Sequence, residues 1–482
     1  MAVALERLIA ATSPTEVVGG APLEVEDLAY DTRAVHPGTL FFCVRGSRAD
    51  GHDLAGDAVT AGAVAVVAER PLDVPVPQLV VPDSRAAMAL AADEFFGRPT
   101  EELPVAGVTG TNGKTTTAFL LYSVLAAAGR RPGLLGTIES RIGGERRPAV
   151  RTTAEAIDLQ RALRAMLAAG DRSCAMEASS HGSELKRLLG VRFAVLVFTN
   201  LTQDHLDFHG TMDRYFEAKR RLFTDAEPAP PAVVNIGDPY GRRLADELRR
   251  RGTPLLTFGF AEEADVRPEE LESTGAGIRL RSGGLEIESR LRGRFNVENL
   301  LAVVAAGRVL EIEDEALAAG IAAGEVPGRF EPVDEGQPFG VLVDYAHTPD
   351  SLENVLRSAR EVAANRVICV FGCGGDRDRG KRPLMGRIAR ELADFAIVTS
   401  DNPRSENPLA IIDEIVGETS GLEIEPDRRA AIALAIERAK PGDIVLIAGK
   451  GHEQGQEIAG RTLPFDDREI AREALRRLGV RA

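Results

Sequence analysis

The segment "GTNGKTT", residues 110–116, has the residue types and spacing of a phosphate-binding loop. It follows the apolar run "VAGVT", typical of a strand, and opens "KTTTAFLLYSVLAAAG", typical of a helix closed by Gly129. Backbone N–H groups and the helix dipole favour phosphate at such a helix N-terminus. We expect Lys114 to reach the β- and γ-phosphates of a nucleotide and Thr115 to offer its hydroxyl to Mg²⁺.

The loop departs from the common nucleotide-binding pattern at Val108, where that pattern has a glycine five places before its Gly-Lys pair. The alternative interpretation is a strand–helix turn with an incidental lysine. The preceding strand, the following helix and the Gly-Lys-Thr-Thr sequence at their junction favour nucleotide binding.

Candidate metal ligands come with the next predicted strands. Glu177, in "AMEASSHG", follows a strand and offers the hard oxygen ligand that Mg²⁺ prefers. His205, in "TNLTQDHLDFHG", is a second candidate, although imidazole is less usual for magnesium. A zinc site built from His181, His205 and His209 is the alternative, but the oxygen-bearing side chains around them favour magnesium.

Lys219 lies in "YFEAKRRLF", residues 215–223, a segment with the residues of a helix. Spacing alone predicts an exposed helical lysine. Nothing in the local sequence distinguishes Lys219 from Lys186 or Arg220.

The composition is that of a globular protein with an acidic surface. The 482 residues carry 58 Lys and Arg against 73 Asp and Glu, a net charge of −15, and 44% are hydrophobic. Such a charge disfavours nucleic-acid and membrane binding, and no apolar run approaches the roughly 18 residues of a membrane span. The opening "MAVALERLIAATSP" is interrupted by charges, unlike a secretory signal. We expect a cytoplasmic monomer. Its four cysteines are too few and too scattered for a disulfide framework, and the apolar neighbours of Cys369 and Cys373 favour buried strand thiols over half of a metal site.

Short β-rich runs alternate with Ala/Leu-rich helical stretches, which predicts an α/β protein with parallel sheets. The predicted strands are "VAGVT", "CAMEA", "AVLVFTN", "AVVNI", "VLVDYA", "VICVFG", "AIVTS" and "IVLIAG". Polar or glycine-containing segments follow each of them, so we expect ligand sites along the carboxyl edges of the sheets. Glycine, proline and charged residues are frequent in segments 94–110 and 324–340, as at domain boundaries. They predict three domains, 1–98, 99–330 and 331–482.

Several motifs in one order give the chain a resemblance to the Mur ligases. They are "YDTRAVHPGTLFFCVRGSRADGH", "GTNGKTT", "TNLTQDHLDFHG", "YFEAKRRLF", "LRGRFNVENLLAV", "VPGRFE", "VDYAHTPDSLENVL", "DNPR", "GKGHE" and "FDDRE". The resemblance spans nearly the whole chain and is greatest to the members that add diaminopimelate to the peptidoglycan stem peptide. It implies a small N-terminal α/β domain for the uridine nucleotide, a central P-loop ATPase domain with a parallel or mixed sheet, and a C-terminal Rossmann-like domain. The family uses the shorter "GTNGKTT" loop, so the resemblance implies that a nucleotide can bind although Val108 replaces the glycine of the common pattern.

The resemblance also implies a reaction. A carboxylate of UDP-N-acetylmuramoyl-L-alanyl-D-glutamate would attack the γ-phosphate of ATP, and the amine of meso-diaminopimelate would then displace phosphate from the acyl phosphate. Mg²⁺ would be the cofactor. Its implied ligands are Thr115, Glu177, His205 and Lys219, the last as a carbamate formed with CO₂. The implied catalytic residues are Lys114, Lys219, Glu177 and His205.

The binding residues implied by the resemblance form three sets. Those at ATP are Gly110, Thr111, Asn112, Gly113, Lys114, Thr115, Thr116, Asn296, Asn299, Arg329 and Asp344. Those at the uridine nucleotide substrate are Thr32, Ser47, Arg48, Ala49, Thr152, Thr153, Ser179 and Arg187. Those at diaminopimelate are Arg377, Asp401, Asn402, Pro403, Arg404, Gly449 and Glu453.

Three alternative functions remain beside this one. A lysine-adding Mur ligase would share the whole architecture but lack "DNPR", whose Arg404 suits a second carboxylate. Folylpolyglutamate synthetase shares the nucleotide loop and the acyl-phosphate strategy, but the first-domain motif is not expected in it. A switch GTPase or motor would have no use for "CGGDRDRGKRP" and "GKGHE", and the chain has no guanine-reading Asn-Lys-x-Asp motif.

Overall fold

The computed structural model describes residues 2–20, 22–46, 49–274 and 277–481. Two compact units divide the chain. The first unit comprises Met1–Gly107, Arg130–Ala194 and Arg221–Pro230, and the second comprises Val108–Gly129, Val195–Arg220 and Pro231–Ala482. Within the described residues we find no helix with the length and hydrophobicity needed to cross a bilayer.

The helices alternate with strands along most of the chain. In order they are α1 (Leu5–Thr12), α2 (Ala55–Thr60), α3 (Ser84–Phe95), α4 (Lys114–Ala127), α5 (Ala156–Ala169), α6 (Ser180–Glu184), α7 (Leu206–His209), α8 (Met212–Thr224), α9 (Pro239–Arg251), α10 (Arg294–Val309), α11 (Asp314–Ala323), α12 (Pro349–Val362), α13 (Lys381–Leu392), α14 (Pro408–Val416), α15 (Arg428–Arg438) and α16 (Asp467–Arg481). Short 3₁₀ turns cover Thr32–Ala34, Gly51–Leu54 and Pro99–Glu101.

The strands are mostly two to six residues long. They are β1 (Val3–Ala4), β2 (Glu16–Val18), β3 (Glu24–Val25), β4 (Asp27–Ala29), β5 (Thr39–Phe42), β6 (Ala63–Ala68), β7 (Gln78–Val80), β8 (Val105–Thr109), β9 (Pro132–Leu135), β10 (Glu139–Ile142), β11 (Glu145–Pro148), β12 (Ser173–Glu177), β13 (Phe193–Phe198), β14 (Ala232–Asn235), β15 (Leu255–Phe258), β16 (Glu270–Thr274), β17 (Gly277–Ser282), β18 (Leu285–Ser289), β19 (Glu331–Pro332), β20 (Gly340–Asp344), β21 (Val367–Phe371), β22 (Phe395–Val398), β23 (Glu423–Ile424), β24 (Ile444–Ala448), β25 (Gly455–Ile458) and β26 (Arg461–Pro464).

The first unit begins with a sheet of order β2-β7-β6-β5-β4, in which β4 to β7 are parallel. Alternate residues of β5 enter different cores. Leu40 and Phe42 pack in a cluster with residues of α1 and α3, and Phe41 packs in a second cluster with Ala58 of α2. This alternation follows from the two-residue period of a strand, and it explains why β5 is buried on both faces.

Later strands of the first unit pair in the order β11-β10-β9-β12. β9 and β12 are parallel, whereas β10 and β11 form an antiparallel hairpin attached to β9. The same unit holds α5, which packs on α3. This arrangement places the end of β12, with Glu177, next to the segment that joins β9 to β10.

The second unit contains the parallel strands β13, β14 and β15, with α4 packed on α10 and α11. Leu120, Leu121 and Val124 of α4 are fully buried, as expected for a helix that is apolar on all sides. The helix that carries the nucleotide loop is therefore fixed in a core. β16, β17 and β18 form a separate antiparallel sheet.

The last part of the second unit has a sheet of order β19-β20-β24-β21-β22-β23. All its strands are parallel except β19. The side chains of β21 pack into two hydrophobic clusters, one on each face of the sheet. Cys369 and Phe371 belong to one cluster, and Ile368 and Val370 belong to the other. Burial raises the pKa of Cys369 and of Cys373 to about 12, so both are inert thiols, as predicted.

Every strand predicted from sequence is present. β8, β12, β13, β14, β20, β21, β22 and β24 cover or overlap the eight predicted runs. The predicted helix after the nucleotide loop is α4, which ends at Ala127. One detail differs: Glu177 is the last residue of β12 rather than a residue beyond it.

Candidate functional site

The nucleotide loop joins β8 to α4 through two glycines that no other residue could replace without strain. Gly110 has φ +146°, and a side chain there would collide with the Thr199 hydroxyl. Gly113, the N-cap of α4, has φ +86°, and a side chain there would collide with the Asn299 carboxamide. Both positions need the positive φ and the absent Cβ of glycine. The turn therefore depends on Gly110 and Gly113, with Val108 buried in the strand.

Lys114 folds back over the loop that precedes it. Its Nζ donates to the carbonyl oxygens of Thr111, at 2.7 Å, and Gly110, at 3.0 Å. The Asn112 N–H donates to Asn200 Oδ1 at 2.9 Å, which anchors the middle of the loop. Thr115 and Thr116 occupy the first turn of α4, and both are buried. The loop thus presents a lysine at a helix N-terminus, as phosphate binding requires.

Lys219 is buried beside the same loop, with 1% of its surface exposed. This overturns the exposed lysine that spacing alone predicts. Its Nζ donates to Gly110 O at 2.6 Å and lies 4.8 Å from the centre of the Tyr215 ring. Burial and the charge of Lys114 lower the pKa of Lys219 well below its usual value, against a smaller opposing effect of Asp204. The environment of Lys219 therefore disfavours its charged form.

His205 lies beside a carboxylate that sequence analysis did not assign. Its backbone is left-handed, with φ 55°, and its Nε2 is 3.4 Å from Asp204 Oδ2. His347 Nε2 approaches the same oxygen at 3.9 Å. Burial opposes ionisation of Asp204, but His205, His347 and Lys381 lower its pKa. Burial and Lys381 lower the pKa of His347 to about 4, so His347 is neutral at pH 7.

Asn296 and Asn299 lie on one face of α10, buried beneath the loop. Asn299 Nδ2 donates to Asn296 Oδ1 at 2.9 Å, and Asn296 Nδ2 donates to Arg292 O at 2.7 Å. Thr117 Oγ1 donates to Asn299 Oδ1 at 3.4 Å. The two amides are thus oriented by hydrogen bonds within α10, to the segment that precedes it and to α4.

Arg329 and Asp344 come from the start of the last third of the chain. Arg329 Nη2 donates to Thr115 Oγ1 at 3.0 Å, and its guanidinium lies 4.6 Å from the centre of the Tyr345 ring. Asp344 accepts the N–H groups of Phe330, at 2.6 Å, and Ala346, at 2.7 Å. Burial raises the pKa of Asp344 to about 6, against the opposing charge of Arg329. The structure therefore brings Arg329 to the helix that begins with Lys114.

A second contact to the loop was missed by sequence analysis. Asn112 Nδ2 donates to Asp350 Oδ2 at 2.6 Å, and Asp350 lies in the first turn of α12. The only sequence signal is its place in "VDYAHTPD", which the family motif includes. No local pattern could pair residues that are 238 positions apart.

Glu177, in the first unit, is almost completely buried but fully hydrogen-bonded. The Thr137 N–H donates to its Oε1 at 2.7 Å, and the Thr137 hydroxyl donates to its Oε2 at 3.1 Å. Thr137 Oγ1 also lies 3.0 Å from Thr152 Oγ1. Thr137 belongs to no motif, so sequence analysis had no signal for it.

Thr153, Ser179 and Arg187 gather near Glu177. Thr153 Oγ1 donates to Glu177 O and accepts from the Ser179 N–H, both at 3.0 Å. Arg187 Nη1 donates to Thr153 O at 3.1 Å, and its Nη2 pairs with Glu155 at 2.7 Å. The structure thus brings together the predicted residues of the muramoyl-peptide end.

The predicted uridine end lies elsewhere in the first unit. Thr32 follows β4 and Ala49 follows β5, and these neighbouring strands are parallel, so both residues lie at a carboxyl edge. No hydrogen bond joins Thr32 or Ala49 to Thr153 among the described residues. Ser47 and Arg48 lie outside the described residues.

The loop after β22 and the turn after β24 together contain most of the predicted diaminopimelate residues. Asn402 Nδ2 donates to Glu453 Oε2 at 2.8 Å, and the Asn402 N–H is accepted by Asp401 Oδ1 at 2.7 Å. The Gly449 N–H donates to Asp344 O at 3.0 Å, which holds the turn against β20. Pro403 O accepts from the Glu406 N–H at 3.0 Å within the loop.

Arg404 and Arg377 border the same loops. Arg404 Nη1 donates to Gly375 O at 2.7 Å, and its Nε lies 3.3 Å from a Glu457 carboxylate oxygen. Arg377 Nη1 donates to Asp376 O at 2.9 Å in the neighbouring loop. A buried ion pair fixes the edge beneath them, since Arg428 contacts both carboxylate oxygens of Asp467 and donates to Ala448 O. The cluster therefore contains the cations Arg404 and Arg377 and the anion Glu453, which are groups that can pair with a charged ligand.

The predicted metal ligands are divided between the units. Thr115, His205 and Lys219 belong to the second unit and Glu177 to the first. Within the described part of the chain, no three His, Cys, Asp or Glu side chains converge on one point. Mg²⁺ commonly binds one or two protein carboxylates together with substrate phosphates and waters. A carbamate formed from Lys219 and CO₂ would supply one such carboxylate to the second unit, which also contains Thr115 and His205, and oxygen ligands of this kind suit Mg²⁺.

Comparison with known proteins assigns most of the chain. Family models match residues 24–96 (Mur ligase family, catalytic domain), 108–307 (Mur ligase middle domain) and 328–451 (Mur ligase, glutamate ligase domain). A UDP-N-acetylmuramoyl-L-alanyl-D-glutamate–2,6-diaminopimelate ligase of Solibacter usitatus is 51% identical, covering 95% of each chain. The same-named enzyme of Geobacter metallireducens is 46% identical, covering 98% of each chain.

Solved structures give the same picture at the level of fold. A structure of a UDP-N-acetylmuramoyl-L-alanyl-D-glutamate–2,6-diaminopimelate ligase matches with TM-score 0.72 and 34% identity, covering 99% of this chain and 100% of that one. A folylpolyglutamate synthase from Mycobacterium tuberculosis matches with TM-score 0.63 at 19% identity, covering 81% of this chain and 94% of that one. At that identity the second match reports a shared fold only.

Proposed function

Because the chain belongs to the Mur ligase family, we propose that it is the ATP-dependent ligase that adds meso-2,6-diaminopimelate to UDP-N-acetylmuramoyl-L-alanyl-D-glutamate. Its fold is the three-domain α/β fold of that family, with parallel and mixed sheets. The reaction belongs to peptidoglycan precursor synthesis, a cytoplasmic step in cell-wall formation. We assign the uridine nucleotide to residues 1–98, ATP to 99–330 and the amino acid to 331–482, in a monomeric enzyme.

One observation carries the choice of amino acid. Arg404, Asn402 and Glu453 come from two loops at the carboxyl edge of one parallel sheet. Diaminopimelate has a carboxylate and an ammonium at the end remote from the reacting amine. An arginine suits the carboxylate and a glutamate suits the ammonium, whereas lysine has no second carboxylate to accept from the arginine.

The chemistry consists of two displacements. The free glutamyl carboxylate attacks the γ-phosphorus of ATP, which forms an acyl phosphate and releases ADP. The amine of diaminopimelate then attacks the acyl carbon, forms the amide, loses a proton and releases phosphate. Lys114 neutralises charge on the phosphoryl group as it is transferred. Stabilising that charge in the transition state gives phosphoryl transfer most of its rate enhancement. Asn296, Asn299, Arg329 and Asp344 orient the nucleotide.

Lys219 prepares the site by a separate reaction. In its uncharged form the amine adds to CO₂, forming an N–C bond and losing a proton to solvent, and the product is a carbamate. The remaining N–H can still donate to Gly110 O, the partner of Lys219 in this structure. Together with Thr115, Glu177 and His205 the carbamate would hold Mg²⁺, which supplies electrostatic stabilisation of the phosphates.

Thr152, Thr153, Ser179 and Arg187 bind the muramoyl-peptide in this proposal. The hydrogen bonds of Thr153 with Ser179 and Arg187 support the assignment, because they hold these three residues together on the first unit. Thr32 and Ala49, with Ser47 and Arg48, bind the uridine end.

The test is an ADP-release assay with ATP, Mg²⁺ and the uridine nucleotide substrate across a panel of amino acids. We expect ADP release with meso-diaminopimelate, and little with lysine or glutamate. Omission of either acceptor or nucleotide substrate is the control, and neither reaction should turn over. Efficient turnover with lysine would make the enzyme a lysine-adding member, and turnover with glutamate and a folate would make it a folylpolyglutamate synthetase.

A further inference from the structure

Lys450 is a buried charge that the reaction described above does not use. It lies in the turn after β24, between Gly449 and Gly451, and its side chain is 0% exposed. An ammonium in such a place is costly unless it is paired and hydrogen-bonded. Its partners therefore indicate why the turn contains a lysine.

Those partners are two of the predicted amino acid-binding residues. Lys450 Nζ lies 2.8 Å from Glu453 Oε2 and donates to Asn402 Oδ1 at 3.1 Å. Asn402 Nδ2 donates to the same Glu453 oxygen at 2.8 Å. The three side chains form a closed triangle of hydrogen bonds, although Asn402 is 48 positions from Lys450.

The donor chemistry of lysine decides how the triangle is oriented. An ammonium can only donate, so the Asn402 amide must turn its oxygen toward Lys450. The Glu457 N–H donates to that same oxygen at 2.9 Å and favours the same orientation. The amide nitrogen then necessarily faces Glu453.

Glu453 extends from this buried arrangement toward solvent. Its side chain is 29% exposed, whereas that of Lys450 is not exposed at all. Oε2 receives both donors, and within the described residues Oε1 makes no hydrogen bond. One oxygen is therefore anchored and the other is available to a ligand.

We propose that Lys450 is a positioning residue for amino acid selection, which fixes Asn402 and Glu453 so that Glu453 Oε1 receives the ammonium at the far end of the substrate. This inference rests on the proposed function for the identity of the amino acid. Lys450 itself touches no substrate. It acts through the carboxylate that it anchors, so its loss weakens amino acid binding and leaves the nucleotide sites intact.

The test compares Lys450→Met, which keeps the length of the side chain but removes its charge and donors, with wild-type enzyme. We expect the KM for meso-diaminopimelate to rise at least about tenfold, the equivalent of one charged hydrogen bond. The KM values for ATP and for the uridine nucleotide substrate should not change. Lys440→Met is the matched control, because Lys440 is an exposed lysine of the same domain.

A double-mutant cycle separates positioning from a general structural role. Because Lys450 acts through Glu453, Lys450→Met should add nothing to the KM of a Glu453→Gln enzyme. The double variant removes both charges together, so it remains measurable even where Lys450→Met alone fails to fold. Additive effects on the KM for diaminopimelate, or an equal rise in the KM for ATP, would overturn the proposal. A wild-type enzyme that does not use diaminopimelate would instead refute the proposed function.

Discussion

Replacing Arg404 by alanine tests the selection of diaminopimelate most directly. Arg404 lies in the left-handed region with φ 53°, and its guanidinium faces the loop that contains Gly375. In the proposed complex two of its N–H groups contact the remote carboxylate of the substrate, as a guanidinium can. The variant removes that attraction and introduces no new one.

The size of the effect follows from the burial of the side chain. Truncating one partner of a buried, hydrogen-bonded charge pair costs about 2–5 kcal/mol. Arg404 is 22% exposed, so solvent screens part of the interaction and the lower half of that range applies. A cost of about 2–3 kcal/mol corresponds to a loss of roughly 30- to 150-fold in kcat/KM for diaminopimelate. Arg404→Lys should lose less, because it keeps the charge but not the paired N–H groups.

The assay is ADP release at saturating ATP and uridine nucleotide substrate, with meso-diaminopimelate or L-lysine as the varied amino acid. Arg404→Ala should lose diaminopimelate activity without a matching gain for lysine. Arg387→Ala is the control, because Arg387 is an exposed arginine on α13 of the same domain. The reasoning fails if wild-type enzyme uses both amino acids equally well, or if Arg404→Ala leaves diaminopimelate activity intact.

Three further predictions concern the nucleotide site. Lys114→Ala should abolish ligation and leave binding of the uridine nucleotide substrate largely unchanged by calorimetry, because Lys114 belongs to the second unit and the residues proposed to bind that substrate belong to the first. Lys219→Ala should lose most activity, and a short carboxylic acid should restore part of it by replacing the carbamate in the ADP-release assay. Asp344→Asn should gain stability relative to wild type as pH rises. Burial raises the pKa of Asp344 from 3.8 to about 6 in the folded protein. The contribution of the Asp344 side chain to the stability of wild-type protein is therefore fully present below pH 3.8 and is lost as pH rises through 6. The difference in Tm between variant and wild type should therefore increase between pH 4 and pH 7.

Each of these predictions has an outcome that would contradict it. Equal loss of ligation and substrate binding in Lys114→Ala would show that the first domain does not bind independently. A fully active Lys219→Ala enzyme would return Lys219 to a structural role, and Lys186→Ala serves as the control for lysine loss in general. A Tm difference that stays constant from pH 4 to pH 7 would mean that Asp344 keeps an ordinary pKa in the folded protein.

The local sequence determined the elements that hold the site. The nucleotide turn could be located because φ restrictions, helix capping and apolar periodicity act between neighbouring residues, and "VAGVTGTNGKTT" contains all three signals. Gly110 and Gly113 both have a positive φ, which glycine adopts without strain in a tight turn of this kind. The strands and the buried cysteines followed from the same short-range rules. The roles of individual site residues, by contrast, stay predictions that rest on family resemblance.

Only the tertiary structure decided which charges are buried and what they contact. Spacing predicted an exposed Lys219, but packing buries it against Gly110, which is 109 positions away, and lowers its pKa. The same holds for Lys450, whose partner Asn402 comes from another loop, and for Asp344, whose pKa burial raises. Desolvation and Coulomb interactions depend on atoms contributed by distant segments, and a periodic pattern says which face of an element is buried but not what covers it. The burial and the pairing of these charged groups are therefore properties of the folded chain.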